Sequence, residues 1–185
     1  MTNRFTCSSL FPVVIFVLLA AVEGCGKYDN PAGTIDTDRK ASISLREIDE
    51  KQLDSVIAGC HGKVVLVDYW ATWCLSCVEL FSHTVELHEK YGPKGLVVIS
   101  VSLDDSDNRN AALDFLEEHE AVFDNFISVY GAGTESLEKF DLPGPLPQLQ
   151  IFDREGKLRK SFPQPQSSIE KGDVDKAVRK WLGEG

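Results

Sequence analysis

The sequence predicts an α/β fold built on a central mixed β-sheet with helices on both of its faces. The apolar run Val64–Val67 is typical of a strand buried on both sides, as in parallel sheets covered by helices. Strand and helix patterns alternate from about residue 43 to residue 140. A hairpin pattern followed by a helix closes the chain, which adds antiparallel strands and makes the predicted sheet mixed.

The first half of the domain alternates strands and helices. In chain order we predict an edge strand around Ile43 and Leu45, a helix over 49–58, a central strand over 63–69, a long helix over 74–90 and a second strand over 96–103. The helices follow from apolar residues at spacings of three and four. Gly59 ends the first helix, and Tyr91-Gly92-Pro93 ends the second.

The second half begins with a turn, Asp104–Asp107, whose side chains are of the type that cap helices. The elements predicted after it are a helix over 108–119, a short strand over 126–129, one or two helical turns over 134–140, a hairpin of 148–152 with 157–162, and a closing helix over 170–182. The stretch Leu142–Pro147 is too rich in proline for a helix or a central strand.

The N-terminus is typical of an export signal. Leu10–Val22 is a continuous apolar stretch of 13 residues, short for a membrane span and suited to a signal peptide. The residues Val22-Glu23-Gly24-Cys25 resemble a bacterial lipoprotein signal, although Glu23 replaces the usual small residue. An uncleaved anchor and ordinary cleavage nearby are the alternatives, and both still export the chain.

We therefore divide the chain into a lipoprotein-like signal peptide (1–24), a flexible tether (25–41) and one domain (42–185). Cys25 is the predicted site of lipid attachment. The protein is then anchored to the membrane on its periplasmic, or extracytoplasmic, side, where disulfides can form.

The composition excludes some partners. The 185 residues carry 19 basic and 29 acidic side chains, for a net charge of −10, which argues against binding of nucleic acid. Of five cysteines, Cys7 falls in the signal and Cys25 would carry lipid. Three remain, and an odd number argues against a purely structural disulfide framework.

Cys74 and Cys77 form a Cys-x-x-Cys pair at the start of the predicted long helix. Unpaired backbone N–H groups and the helix dipole at this position favour a thiolate over a thiol. Cys77, one turn later, can close a disulfide with its neighbour. This pattern favours thiol–disulfide exchange, in which Cys74 attacks a partner disulfide and Cys77 resolves the intermediate.

Metal binding is the alternative use of such a pair. Cys60, His61, Cys74 and Cys77 make four potential zinc ligands, but a buried strand separates the two pairs. Covalent haem attachment is excluded because Val78, and not histidine, follows Cys77. We predict no metal.

The segment V-D-Y-W-A-T-W-C-L-S-C (residues 67–77) resembles the active-site segment of thioredoxin-fold proteins. Together with the export signal and a long insert, it makes the chain similar to membrane-tethered thiol–disulfide oxidoreductases of the TlpA/ResA type over about residues 43–182. The resemblance implies a thioredoxin-like fold with an αβ insert between the Cys-x-x-Cys half and the cis-proline half. It implies no cofactor besides the redox-active Cys74–Cys77 disulfide.

The resemblance also implies roles for individual residues. Cys74 would be the exposed nucleophile and Cys77 the buried resolving thiol, with Trp73 shielding the pair. Asp68 matches a buried acid that relays protons to the resolving cysteine. Its apolar neighbours would by themselves raise its pKa toward neutrality; the alternative is a strand-end carboxylate in water.

Pro147 matches the family's cis-proline, which packs against the disulfide, and the backbone of Leu146 would pair with a bound substrate. Pro143 and Pro145 compete for the same assignment. This loop is one residue longer than is usual in the family, which leaves the substrate-binding edge open.

Two departures leave the direction of electron flow open. Ser76 occupies the second place between the cysteines, where many relatives have proline. Leu80 occupies the place where reducing TlpA/ResA-type members often carry glutamate, and the preceding Glu79 is expected to face solvent.

We therefore predict an exported thiol–disulfide oxidoreductase that acts on protein disulfides and dithiols. The resemblance alone favours a reductant, recharged by a membrane or periplasmic thiol donor. One alternative is an oxidase or isomerase of secreted proteins. The other is a non-enzymatic, membrane-tethered domain that binds extended peptides.

Overall fold

A computed structural model describes residues 43–163 and 168–184, which form six strands and five helices. The elements are β1 (Leu45–Ile48), α1 (Glu50–Gly59), β2 (Val64–Trp70), α2 (Leu75–Tyr91), β3 (Leu96–Ser102), α3 (Arg109–Glu118), β4 (Asp124–Ser128), α4 (Thr134–Lys139), β5 (Gln148–Phe152), β6 (Leu158–Phe162) and α5 (Lys171–Leu182). The predicted signal peptide, the tether and Cys25 lie outside the described residues.

The strands form one mixed sheet in the order β1-β4-β3-β2-β5-β6. The first four in that order are parallel neighbours, whereas β5 runs antiparallel to β2 and β6 runs antiparallel to β5. The prediction of a mixed sheet with an edge strand at its start and a hairpin at its end is confirmed. The strand that delivers the cysteine pair lies inside the sheet, between β3 and β5.

Strand β2 supplies side chains to both faces of the sheet, and all seven of its residues are buried. Val65, Val67 and Tyr69 enter the cluster that also contains α1. Val64 and Leu66 enter the cluster formed with α2 and α5. An unbroken apolar run is therefore required here, because successive side chains of a strand point to opposite faces.

Element boundaries differ from the predicted ones by only a few residues. Helix α1 begins after Asp49, whose carboxylate accepts a hydrogen bond from the Gln52 N–H at 2.7 Å. The Gln52 side chain in turn accepts one from the Asp49 N–H, which completes a capping box. The edge strand starts at Leu45 instead of Ile43, and a single 3₁₀ turn, Ser106–Asn108, precedes α3. None of the helices in the described ranges is both long and apolar enough to cross a membrane.

The prediction that Asp104–Asp107 cap a helix is wrong. Asp105 and Asn108 occupy the residues before the 3₁₀ turn and α3, and neither side chain makes a capping hydrogen bond. Asp104 is fully buried and bonds to the loop before Cys74. The side chain of Asp105 accepts a hydrogen bond from the Ala132 N–H instead. These two carboxylates therefore bond to residues that are distant in the chain and not to the backbone of the neighbouring helix.

Candidate active site

The cysteine pair lies at the N-terminus of α2, where a disulfide joins Cys74 to Cys77. Helix α2 begins at Leu75, so Cys74 is the capping residue and not the first helical residue. Its sulfur accepts a hydrogen bond from the Cys77 N–H at 3.3 Å. The Cys77 N–H also donates to the Cys74 carbonyl at 3.0 Å, so this donor is shared between that carbonyl and the sulfur on which a thiolate would form.

Cys74 is less accessible than the resemblance implies. In the disulfide form it is 7% exposed, and Cys77 is 2% exposed. Cys74 is the more exposed of the two, as the resemblance implies. The description of Cys74 as exposed is nevertheless wrong for the disulfide form. The reason is the capping position, which turns the sulfur over the first turn of α2. Trp73 and Leu75, on either side of Cys74, are the exposed neighbours, at 58% and 73%.

Asp68 lies on β2 beneath α2 and is 2% exposed. Burial raises the pKa of its carboxyl from 3.8 to about 7, while a hydrogen bond from Thr84 acts in the opposite direction. The Thr84 hydroxyl donates this bond to Oδ2 of Asp68 at 2.6 Å. The predicted rise in pKa is confirmed, and the alternative of a strand-end carboxylate in water is wrong.

Thr84 follows Cys77 by seven residues, or two helical turns, on the side of α2 that faces the sheet. At about 1.5 Å per residue, the two lie about 10 Å apart along the helix axis. Asp68 is therefore covered by the same face of α2 that carries the buried sulfur. Its side-chain hydrogen bond in the structure is to Thr84 and not to Cys77.

Asp104, directly after β3, fixes the loop that leads to Cys74. Its carboxylate accepts hydrogen bonds from the Thr72 N–H at 3.0 Å and the Thr72 hydroxyl at 2.6 Å. The Ser102 hydroxyl donates a third bond at 2.7 Å. Since β2 and β3 are parallel, their carboxyl ends meet at one edge of the sheet, and this carboxylate ties them together there.

The peptide bond between Leu146 and Pro147 is cis, as predicted, and those before Pro143 and Pro145 are not. A second cis bond, Phe162–Pro163, was not expected from the sequence. Leu146 packs against the apolar cluster that contains both active-site cysteines. The structure thus brings together two parts of the chain separated by about seventy residues.

A largely apolar groove of about 620 Å³ opens between α2 and the proline-rich loop. Its lining includes Ser76, Glu79 and Leu80 from α2, residues 143–148, and Pro163 and Ile169. A concave apolar site beside a reactive group is a natural place for a ligand or a peptide segment to bind.

Residues 39–178 match the Redoxin family. The chain belongs to the Redoxin family. It is 26% identical over 156 residues to the thiol–disulfide oxidoreductase ResA of Bacillus cereus, an alignment that covers 80% of this chain and 84% of ResA. The family match and this similarity confirm the prediction of a thiol–disulfide oxidoreductase of the TlpA/ResA type.

Two solved structures confirm the thioredoxin-like fold. A crystal structure from Chlorobium tepidum, described as a thiol:disulfide interchange protein DsbE, has a TM-score of 0.56 at 27% identity and covers 67% of this chain and 83% of that one. The solution structure of a thioredoxin-like protein in the oxidized form has a TM-score of 0.56 at 21% identity, with coverages of 74% and 85%.

In this Redoxin chain, Glu79 is exposed, as predicted, and Leu80 is buried. Both nevertheless line the groove. An exposed carboxylate and an apolar side chain therefore lie next to each other on the wall of the groove that α2 forms.

Cys60, which the zinc alternative required beside the active-site pair, lies apart from it. Cys60 is buried in the cluster with α1, whereas Cys74 and Cys77 belong to the cluster with α2 and α3. The sheet therefore separates Cys60 from the pair. Within the described ranges, no three His, Cys, Asp or Glu side chains are grouped so as to hold a metal ion.

Sequence reasoning missed Thr84 and Asp104. Thr84 follows Asp68 by sixteen residues, and nothing local to either residue indicates their contact. For Asp104 a signal was present: it directly follows a strand parallel to β2, so its side chain starts at the same edge of the sheet as Cys74. Its position among three other polar residues favoured the wrong interpretation of its side chain as a helix cap.

Proposed function

We propose that this chain reduces disulfide bonds in exported proteins through the Cys74–Cys77 pair. The observation that carries the proposal is the position of that pair: Cys74 caps α2, and Ser76, between the two cysteines, lines a largely apolar groove together with Leu146 and Pro147. A reactive pair next to an apolar groove suits a partner that is itself a polypeptide.

The first step is attack by the Cys74 thiolate on one sulfur of the partner disulfide. A new S–S bond forms between Cys74 and the partner, and the partner's second sulfur leaves as a thiolate. The Cys77 N–H, 3.3 Å from the Cys74 sulfur in the disulfide form, favours the attacking thiolate.

In the second step Cys77 loses its proton and attacks the sulfur of Cys74, which releases the partner's remaining thiolate. The partner has then gained two electrons, and this chain holds the disulfide seen in the structure. Asp68 is the proposed acceptor of the Cys77 proton, because a carboxyl with a pKa of about 7 exchanges protons readily near neutral pH.

The same pair must be reduced again before the next turnover. The cycle therefore requires a dithiol donor, and for an exported protein this is a membrane or periplasmic thiol. Similarity to the thiol–disulfide oxidoreductase ResA supports thiol–disulfide exchange at this pair, and the disulfide-bonded structure is the product state of the proposed reduction.

We also propose that lipid on Cys25 anchors the domain to the outer face of the membrane. The apolar stretch 10–22 and the Gly24-Cys25 pair support this assignment. Replacing Cys25 with alanine should move the protein from the membrane fraction to the soluble extracytoplasmic fraction. Retention of Cys25→Ala at the membrane would contradict lipid attachment at this residue.

Insulin reduction by the dithiol form tests the catalytic assignment. Cys74→Ser should abolish it, and Cys77→Ser should leave a trapped mixed disulfide with the partner. Cys60→Ala, on the other face of the sheet, is the matched control and should retain activity. A Cys74→Ser variant that still bound its partner with full affinity while wild type showed no reductase activity would favour the peptide-binding alternative.

The reduction potential of the pair tests the direction. Equilibration with glutathione buffers should give a value near those of reducing thioredoxins, about −270 mV. A value near that of strong oxidants, about −120 mV, would instead favour the oxidase or isomerase alternative.

A further inference from the structure

The Ser76 hydroxyl lies next to the attacking sulfur. Its Oγ is 3.6 Å from Sγ of Cys74, within the range of hydrogen bonds to sulfur. Ser76 is exposed and also lines the groove. The Cys77 N–H reaches the same sulfur at 3.3 Å, so two donors converge on it.

The direction of the Ser76 contact is set by chemistry. In the disulfide form the sulfur of Cys74 carries no hydrogen, so the hydroxyl is the donor. A disulfide sulfur is a weak acceptor, whereas a thiolate is a charged one, and hydrogen bonds to charged groups are substantially stronger. The same contact therefore becomes more favourable once the pair is reduced and Cys74 ionises.

We propose that the Ser76 hydroxyl is a catalytic group that stabilises the Cys74 thiolate and thereby sets both the reactivity and the potential of the pair. The inference rests on the proposed function, since it concerns the same dithiol. It assigns a chemical role to the residue that distinguishes this Cys-x-x-Cys turn from those with proline before the second cysteine.

The sign of the effect follows from linkage. A donor that favours the thiolate lowers the pKa of Cys74 and stabilises the dithiol form over the disulfide. Ser76 therefore makes the chain a weaker reductant than it would be without the hydroxyl. Because the donor acts on the thiolate and not on the thiol, its effect on the potential should appear only above the pKa of Cys74.

Ser76→Ala removes the donor with little structural change, since the side chain is exposed. Ser76→Thr restores a hydroxyl at the same place. Ser82→Ala, at an exposed serine on the same helix, is the matched control. The thiolate is measured on the reduced protein from the pH dependence of Cys74 alkylation by iodoacetamide, with the modified residue identified by mass spectrometry.

Ser76→Ala should lower the acid dissociation constant of Cys74 by about three- to tenfold, modest for a charged hydrogen bond because water can replace an exposed donor. Ser76→Thr should restore most of the loss, and Ser82→Ala should match wild type. Against glutathione, Ser76→Ala should be more reducing at high pH and equal to wild type at low pH. A tenfold change corresponds to about 30 mV.

An unchanged alkylation profile in Ser76→Ala, an equal change in Ser82→Ala, or failure of Ser76→Thr to restore the profile would overturn the proposal. A difference in potential that is the same at every pH would also overturn it, because that result indicates a change in the turn and not a donor to the thiolate. These quantities are measured on the pair itself. The alkylation profile and the potential can be measured even if the chain fails to reduce insulin. Failure to reduce insulin would count against the proposed function and not against the role of Ser76.

Discussion

The hydroxyl of Thr84 donates a hydrogen bond to Asp68 at 2.6 Å inside the core, between α2 and β2. Burial alone favours the neutral carboxyl, and the Thr84 donor favours the charged one. Their balance holds the pKa of Asp68 at about 7. A residue two turns away from the disulfide thus helps to decide when the buried acid of this site is charged.

Replacing Thr84 with valine should raise the pKa of Asp68 further, by about one unit, because the side-chain donor that opposes burial is lost. If Asp68 accepts the proton of Cys77, the ascending limb of the activity–pH profile should move up by the same amount. Insulin reduction against pH and the ¹³C shift of the Asp68 carboxyl measure the two effects. Thr134→Val, at an exposed threonine, is the control. A downward movement in Thr84→Val would contradict this account.

Asp68→Asn should stabilise the protein at high pH. The folded-state pKa of Asp68 is raised, so the folded protein binds the proton more tightly than the unfolded chain. The contribution of Asp68 to stability is therefore full below its unfolded-state pKa of 3.8 and is lost as the pH rises through about 7. The difference between a pKa of 3.8 and one of about 7 corresponds to at most about 4 kcal/mol.

Urea unfolding of Asp68→Asn and wild type between pH 4 and pH 8 measures this difference. The free energies of unfolding should be closest at the acid end and should diverge in favour of the variant toward pH 8. Asp107→Asn, at an exposed carboxylate, controls for the change in net charge. A gap of constant size across the range would show that Asp68 does not titrate as its environment requires.

Asp104→Ala should loosen the loop before Cys74. It removes the acceptor of the Thr72 N–H, the Thr72 hydroxyl and the Ser102 hydroxyl, two of which belong to the residue two positions before the nucleophile. We expect a loss of about 2–4 kcal/mol in the free energy of unfolding, since buried donors are left without partners. Asp107→Ala should change stability by less than about 0.5 kcal/mol.

A second measurement separates loop order from global stability. Under conditions where Asp104→Ala remains folded, amide exchange at Ala71 and Thr72 should be faster than in wild type, and exchange in β2 should not. Amide exchange that is faster by the same factor throughout the domain would indicate that Asp104 supports only overall stability.

Leu146→Ala should weaken substrate binding more than chemistry. Leu146 lines the groove and packs against the cysteine cluster, so its loss removes apolar surface where a partner chain would lie. We expect KM for a protein disulfide to rise about five- to tenfold, equivalent to about 1–1.4 kcal/mol, with a smaller change in kcat. Leu158→Ala, at an exposed leucine on the outer strand β6, is the control. Equal effects of the two substitutions would exclude a specific role for the groove.

Most of the fold was predictable because its signals are local. The apolar run of β2, the helical spacing of α1 and α2, and the glycine and proline stops each depend on neighbouring residues in the chain. The cysteine pair at a helix start was predictable for the same reason. Its accessibility was not, because the capping position of Cys74 places the sulfur against the first turn of α2.

The sequence by itself determined the chemistry of this protein: a thiol pair three residues apart after a buried strand, and a proline-rich loop that the family resemblance assigned to the same site. Only the tertiary structure decided what surrounds that pair. Thr84 meets Asp68 and Asp104 meets Thr72 across sixteen and thirty-two residues of chain. Such contacts depend on how helices and strands pack together, and no local periodicity or motif encodes them.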